Sequence, residues 1–241
     1  MNRGIYATAT GMWAAQSKMD VIANNLANSA TTGYKKDGLA FAERYERELR
    51  ANGGLGESLG TLGTGSVQRS KYTHFGVGAL NATGNPLDVA IPQDKGLFAV
   101  QTPEGIRFTR DGAFTLNSDR TLVNKLGYPV LDENRQPITI PNGTPVFQED
   151  GTIVVNGQPI GKVGVFDGTF AKTGNNLYQS NDSKAVEEAT VKAGHLEASN
   201  VNPVEAMIEM ISLTRSFELA QRSITQQDEL TQRLIQSLRD Q

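Results

Sequence analysis

The sequence predicts an α+β protein. Long N- and C-terminal helices would pair as a coiled-coil-like domain, with an all-β domain of barrel or sandwich type inserted between them. Three observations predict this. Apolar residues at both ends recur in alternating steps of three and four. The centre changes to a period of two, punctuated by Asn-Gly and Asp-Gly pairs. The 241 residues carry 25 glycines and only 38% hydrophobic residues, a turn-rich composition. The division expected is residues 1–36 together with 195–241 as a terminal helical assembly domain. Residues 37–85 then form a linker with a Gly-rich extended segment, and residues 86–194 a β-rich outer domain.

The N-terminal element is a seam of Ile5, Thr8, Met12, Ala15, Met19, Ile22 and Leu26, and predicts a helix over about 4–28. It is a thin seam. Gly11 lies inside it, and Thr8 and Ala15 bury little. Such a helix is marginal alone and calls for a partner. It runs into "NNLANSATTGYKK", residues 24–36. The Asn, Ser and Thr side chains there compete for backbone hydrogen bonds, and Gly33 admits a positive φ. The stretch reads as a helix stop followed by a sharp exit.

Residues 37–49, "DGLAFAERYEREL", carry charges at helical spacing and suggest a short helix. Residues 50–68 read as a Gly-rich flexible loop. A phosphate-binding reading fails because Gly63-Thr64-Gly65-Ser66 lacks the Lys of a P-loop. From Leu87 onward, short runs such as "LFAVQT", "IRFTR" and "TIVVN" alternate with Asp111-Gly112, Asn142-Gly143, Asp150-Gly151, Asn156-Gly157 and Asp167-Gly168. These predict antiparallel strands from about 86 to 175. Phe98, Phe108, Phe114 and Phe147 are assigned to the core of that domain.

The C-terminal element is the strongest local signal. Asn202 is a suitable N-cap, Pro203 fits the first helical position and Glu205 completes a capping-box pattern. The seam runs Met210, Leu213, Phe217, Ala220, Ile224, Gln227, Thr231, Leu234 and Leu238, widened by Met207 and Ile211. A helix over 203–238 follows, with the N-terminal helix as its expected partner. Gln227 and Thr231 weaken the seam, which points to help from other subunits.

Composition excludes several classes. A net charge of −3 argues against a broad nucleic-acid-binding face. No run of about 18 apolar residues exists, so nothing is expected to span a membrane. "MNRGIYATATGMWAAQ" lacks the apolar h-region of a Sec-type signal peptide. The absence of Cys removes disulfides and thiolate metal sites. Only His74 and His195 are available as imidazole bases, and neither has a nucleophile beside it in sequence. No catalytic, metal or cofactor-binding residues are assigned, and no enzyme is expected.

Four stretches resemble bacterial flagellar rod and hook proteins. "NNLANSATTGYKK" is similar to the family's N-terminal signature at Asn25, Leu26, Ala27, Asn28, Gly33, Tyr34 and Lys35. "GALNATGNPLDVAI" (78–91) and "FTRDGAFTLN" (108–117) resemble its central segments. "LEASNVNPVEAMIEMISLTRSFE" (196–218), with Ser199, Asn200, Val201 and Glu205, resembles its C-terminal signature. Length and the Asn-Val-x-Pro-Val-Glu-Ala-Met run look more like proximal than distal rod members. One departure is "IPQDKGLF", where Gly96 stands five residues after Ile91 rather than four.

The resemblance implies a structural subunit of the flagellar basal-body rod, on the periplasmic side of the inner membrane. It implies export in unfolded form by the flagellar type III apparatus. It also implies assembly with other copies and neighbouring rod proteins around an export channel. The expected interface is Ile5, Met12, Met19, Ile22, Leu26, Met207, Met210, Ile211, Leu213, Phe217, Ile224 and Leu234. The alternatives are a distal-rod or hook-type axial protein and, from another class, a secreted coiled-coil adhesin or binding module. The adhesin would be a stable soluble oligomer by itself.

Overall fold

The computed structural model describes residues 3–43, 46–50, 58–63 and 66–239, with side-chain environments for 7–41 and 69–239 except Leu234. The chain divides into two compact units. One holds Met1–Leu26, Asp37–Tyr72 and Asn202–Gln241, the other Ala27–Lys36 and Thr73–Val201.

The first unit contains helix α1 (Arg3–Ala27), strands β1 (Asp37–Glu43), β2 (Glu46–Arg50), β3 (Ser58–Gly63) and β4 (Ser66–Thr73), and helix α2 (Pro203–Arg239). The α1 sequence is rich in Ala and free of Pro, which favours helix. At its end Asn25 turns to a different backbone. Its amide donates to the Asp37 carbonyl (2.8 Å) and accepts from the Asp37 N–H (2.9 Å). This pairs the buried Asn25 with the start of β1. The Asp37 carboxylate in turn meets Lys71 at 3.1 Å. Helix α2 begins as its sequence requires. Asn202 Oδ1 accepts from the N–H groups of Val204 (3.1 Å) and Glu205 (3.3 Å), and Pro203 occupies the first turn.

The predicted architecture needs correction. The chain is built mainly of strands, nineteen among the described residues, with α2 of 37 residues and a shorter α1 of 25. The helices are not a long coiled-coil pair. Met207 and Ile211 on the expected seam are exposed, Leu238 is 74% exposed, and Leu213, Phe217 and Ile224 are only partly covered. The contacts between the helices are local and include polar groups: Lys18 pairs with Glu209 at 2.6 Å, and Thr214 Oγ1 lies 3.8 Å from Met19 Sδ. The reason lies in the seams. Thr8, Gly11, Ala15, Gln227 and Thr231 offer too little apolar area for continuous knobs-into-holes packing.

Two further expectations fail in this unit. The described residues of 37–49 form β1 and part of β2, not a helix, and most described residues of the Gly-rich stretch lie in β3 and β4. β1 pairs with β4, and β2 with β3 in antiparallel register from Glu46 opposite Gly63. Leu39 and Phe41 alternate with Ala40 and Ala42, so period two was present beneath the charge pattern. A partner strand from elsewhere in the chain decided the conformation, as strand propensity is set by context. The rest of that loop, 51–57 and 64–65, lies outside the described residues.

The second unit is all strand and turn. It contains β5 (Leu80–Ala82), β6 (Val89–Ala90), β7 (Leu97–Thr102), β8 (Gly105–Thr109), β9 (Thr115–Leu116), β10 (Leu122–Val123), β11 (Pro145–Phe147) and β12 (Thr152–Val155). It continues with β13 (Gln158–Lys162), β14 (Val165–Asp167), β15 (Ala171–Gly174), β16 (Leu177–Gln179), β17 (Lys184–Ala185), β18 (Lys192–Ala193) and β19 (His195–Glu197). The largest sheet has the order β15-β16-β8-β7-β14-β17. A three-stranded sheet, β11-β12-β13, and the pairs β9-β10, β6-β18 and β5-β19 complete it. The strands extend beyond the expected 86–175, because β19 returns to lie beside β5 with Glu197 opposite Leu80.

β7 is buried on both faces. Phe98 and Val100 enter a core with Phe114, Leu122, Phe147 and Ile153, while Leu97 and Ala99 enter another with Phe108, Leu131, Phe166 and Tyr178. All four phenylalanines assigned to the core are buried. Phe98 and Phe114 meet edge to face at 5.2 Å. The Asn156-Gly157 pair has φ of 51° and 80° and joins β12 to β13 with Val155 opposite Gln158, the backbone of a tight hairpin. Asp111-Gly112 works differently. A Cβ on Gly112 would collide with the Val89 carbonyl, so that glycine permits close packing of two backbones.

Candidate functional site

The exit from α1 turns at Gly33 and runs on through Lys36, held in the second unit by two distant parts of the chain. Gly33 N–H donates to the Glu197 carbonyl (2.8 Å), and Asn200 N–H to the Tyr34 carbonyl (3.3 Å). His74 N–H donates to the Lys36 carbonyl (2.8 Å). Asn200 adds a side-chain clamp. Its Oδ1 accepts from Lys36 N–H at 2.7 Å, and its Nδ2 donates to the carbonyls of His74 (2.8 Å) and Gly76 (3.0 Å). Gly33 is required here. Its φ is 64°, and a Cβ would lie 2.5 Å from the carbonyl carbon of Arg110 and from Asp111 N.

Beneath this segment lies a buried ion triad. Lys35 is 0% exposed, Arg110 1% and Glu197 2%. Lys35 Nζ meets Glu197 Oε1 at 2.5 Å, and Arg110 Nε meets Oε2 at 2.6 Å. Oε1 also accepts from Gly78 N–H at 2.8 Å. Two cations share one carboxylate, and backbone carbonyls offset the excess. Lys35 donates to Gly76 (2.9 Å), and Arg110 to Ile91 (2.9 Å), Gln93 and Gly96. The segment with the extra residue, 92–96, therefore wraps its carbonyls around the Arg110 guanidinium. Burial holds the Lys35 ammonium below the ordinary lysine value of 10.5. Arg110 pushes the same way and Glu197 opposes it.

Further contacts secure the rim. Lys172 Nζ sits 3.8 Å from the Tyr34 ring centre and donates to the Lys35 carbonyl (3.1 Å). Asn176 Nδ2 donates to the Thr32 carbonyl at 2.9 Å, and Lys125 Nζ to Thr32 Oγ1 at 2.8 Å. Among the described residues no cluster of His, Asp or Glu could hold a metal, and no helix is long and apolar enough to cross a membrane.

The signature residues thus have distinct positions. Asn25, Gly33, Tyr34, Lys35 and Val201 are buried, and Asn200 is the clamp. Asn28 accepts from Thr31 through its carbonyl (3.1 Å) and its side chain (3.2 Å). Ser199 Oγ accepts from Val201 N–H at 3.3 Å. Ala27 and Glu205 are exposed and Leu26 is half-buried. Of the expected interface residues, Ile22 is buried. Met12, Met19, Met210, Leu213, Phe217 and Ile224 are partly covered, and Met207 and Ile211 are exposed. The side chains of Ile5 and Leu234 lie outside those described. Sequence reasoning assigned no role to Arg110, Glu197, Lys172 or Asn176. The available signal was an Arg directly after an apolar strand, "IRFTR", and a Glu in "HLEAS", charges set where a strand would bury them.

The parts that meet at this junction match known proteins separately. Residues 5–35 match the family described as flagella basal body rod protein. Residues 90–157 match the flagellar hook protein FlgE/F/G D1 domain, and residues 192–237 the flagellar basal body rod FlgEFG protein C-terminal. Over full length the chain is similar to the flagellar basal-body rod protein FlgF of Caulobacter vibrioides. Identity is 32%, covering 99% of this chain and 98% of that one. It is also 33% identical to the flagellar basal-body rod protein FlgG of Bacillus subtilis, covering 98% of each. FlgF of Mesorhizobium japonicum is 31% identical over 90% of each chain. With both terminal signatures and the strands between them matched along nearly its whole length, the chain belongs to the flagellar basal-body rod protein family.

Proposed function

We propose that this structural subunit of the flagellar basal-body rod polymerises through its terminal helices into a hollow axial shaft that transmits torque and surrounds an export channel. Its partners are other copies of itself and neighbouring rod proteins. It reaches its place on the periplasmic side of the inner membrane through the flagellar type III apparatus, and it catalyses nothing. A proximal, FlgF-like position is favoured by length and by the Asn-Val-x-Pro run, with a distal position as the alternative. Residues 1–36 and 195–241 carry assembly, 37–85 connect, and 86–194 form the folded body between them.

One observation carries this reading: α2 presents apolar side chains that its own unit leaves uncovered. Val204, Ile208, Ile211, Leu219, Leu230 and Ile235 are all more than half exposed. Water-facing rows of this kind mark surfaces meant for another protein. An interface of non-identical patches that does not close on itself generates a helical stack. The test is the double substitution Ile208→Asp with Ile211→Asp, expressed in cells lacking the native protein. The expected result is a folded, soluble chain, no isolable rods beyond the point of insertion, and loss of swimming. Normal rods and normal motility would overturn the assignment of α2 to the polymer.

A further inference from the structure

Glu197 is an acceptor for groups from three separate chain segments. Its carbonyl takes the N–H of Gly33, its Oε1 takes Lys35 Nζ and Gly78 N–H, and its Oε2 takes Arg110 Nε. The sequence separations are 162 residues to Lys35, 119 to Gly78 and 87 to Arg110. Before Glu197 arrives, closing this junction would bury two cations with only the exposed Asp94 carboxylate near Lys35, and desolvated charge with no bonded partner is strongly unfavourable. The contacts made through Arg110 cannot close first. Gly33 packs against the backbone of Arg110 and Asp111, and the guanidinium gathers the carbonyls of Ile91, Gln93 and Gly96. Each of those contacts presupposes Arg110 in its buried position. The β7–β8 hairpin is local and faces no such obstacle.

We propose that Glu197 gates the folding of the second unit: the Lys35–Arg110 pair keeps the junction of residues 33–36, 76–78, 91–96 and 110 open until the C-terminal segment docks its carboxylate. The closure belongs to the folding transition state and is not a late annealing of a formed body. A chain that becomes available from its N-terminus onward therefore holds this unit unfolded until residue 197 is free. The device is independent of how the subunit polymerises, and it stands or falls separately from the rod reading.

The test is made on the full chain by refolding and unfolding kinetics, with pulse-labelled amide exchange reporting on β7 and β8. Glu197→Gln is expected to slow refolding by about tenfold or more while changing unfolding by no more than about twofold. Refolding at the original rate with faster unfolding would overturn the proposal, because the contact would then form late. The second variant combines Lys35→Met, Arg110→Leu and Glu197→Leu, which removes both the stranded charges and the gate. It is expected to fold, and to refold no more slowly than the parent chain. If Glu197→Gln does not fold at all, the triple variant decides. A folded triple supports the gate. A triple that also fails, or that refolds as slowly as Glu197→Gln, shows that stranded charge is not what holds the junction open.

Discussion

Gly33 cannot become another residue without displacing the backbone of Arg110. Gly33→Ala combines an unfavourable positive φ with a Cβ at 2.5 Å from main-chain atoms. The expected loss is about 1–3 kcal/mol from backbone strain alone, and more from the clash. Gly127→Ala is the control, since it has φ of 81° and open space around its Cβ position. Urea unfolding of the two variants should rank Gly33→Ala as clearly the more destabilised. Lys35 supplies a pH dependence whose sign follows from its lowered folded value. Between that value and the ordinary 10.5 the unfolded chain binds a proton that the folded chain releases, so this group's contribution to stability rises with pH. The stability difference between the parent and Lys35→Met should therefore grow in favour of the parent through the alkaline range below 10.5. Urea midpoints at successive pH values check it. Gly33 and Lys35 were legible as signature positions. Their burial was not, because a Lys after a polar run reads as a solvated charge until Glu197 is brought to it.

Elements whose determinants are local were read well. The start of α2 is set within four residues by Asn202, Pro203 and the first-turn Glu205. Asn202→Ala should cost about 1 kcal/mol, seen as earlier thermal loss of helical dichroism with the strands of the second unit unchanged. The Asn156-Gly157 hairpin is local in the same way. β1 is the opposite case. Its charges at helical spacing invited a helix, yet β4, about thirty residues later, pairs with it as a strand. β19 and β5 are likewise invisible to periodicity, being three residues each and joined across more than a hundred.

At the scale of the whole molecule, the expected coiled coil is replaced by a chain that is mainly strand, with helices whose apolar residues stay largely open. Phe217 is half-buried within its own chain, so part of its ring stays open. The uncovered positions of α2 include Ile208 and Leu219, off the predicted seam, and Ile211, on its widened part. This is why the double aspartate substitution at Ile208 and Ile211 tests the polymer rather than the fold. Those side chains contribute little to the subunit's own core, so their replacement should leave urea unfolding of the second unit nearly unchanged while removing assembly.

By itself the sequence determined what short-range chemistry can specify. It specified where two helices lie and the N-cap of the second, a turn-punctuated strand region with four core phenylalanines, and signatures sufficient for the family. Tertiary structure alone decided which charges are buried, which strands find distant partners, and that the two helices do not zip together. Each of these depends on free energy released only when residues far apart in the chain meet. Glu197 acquires its role when Lys35 and Arg110 share its carboxylate, and no local pattern of one, two or four residues encodes that meeting.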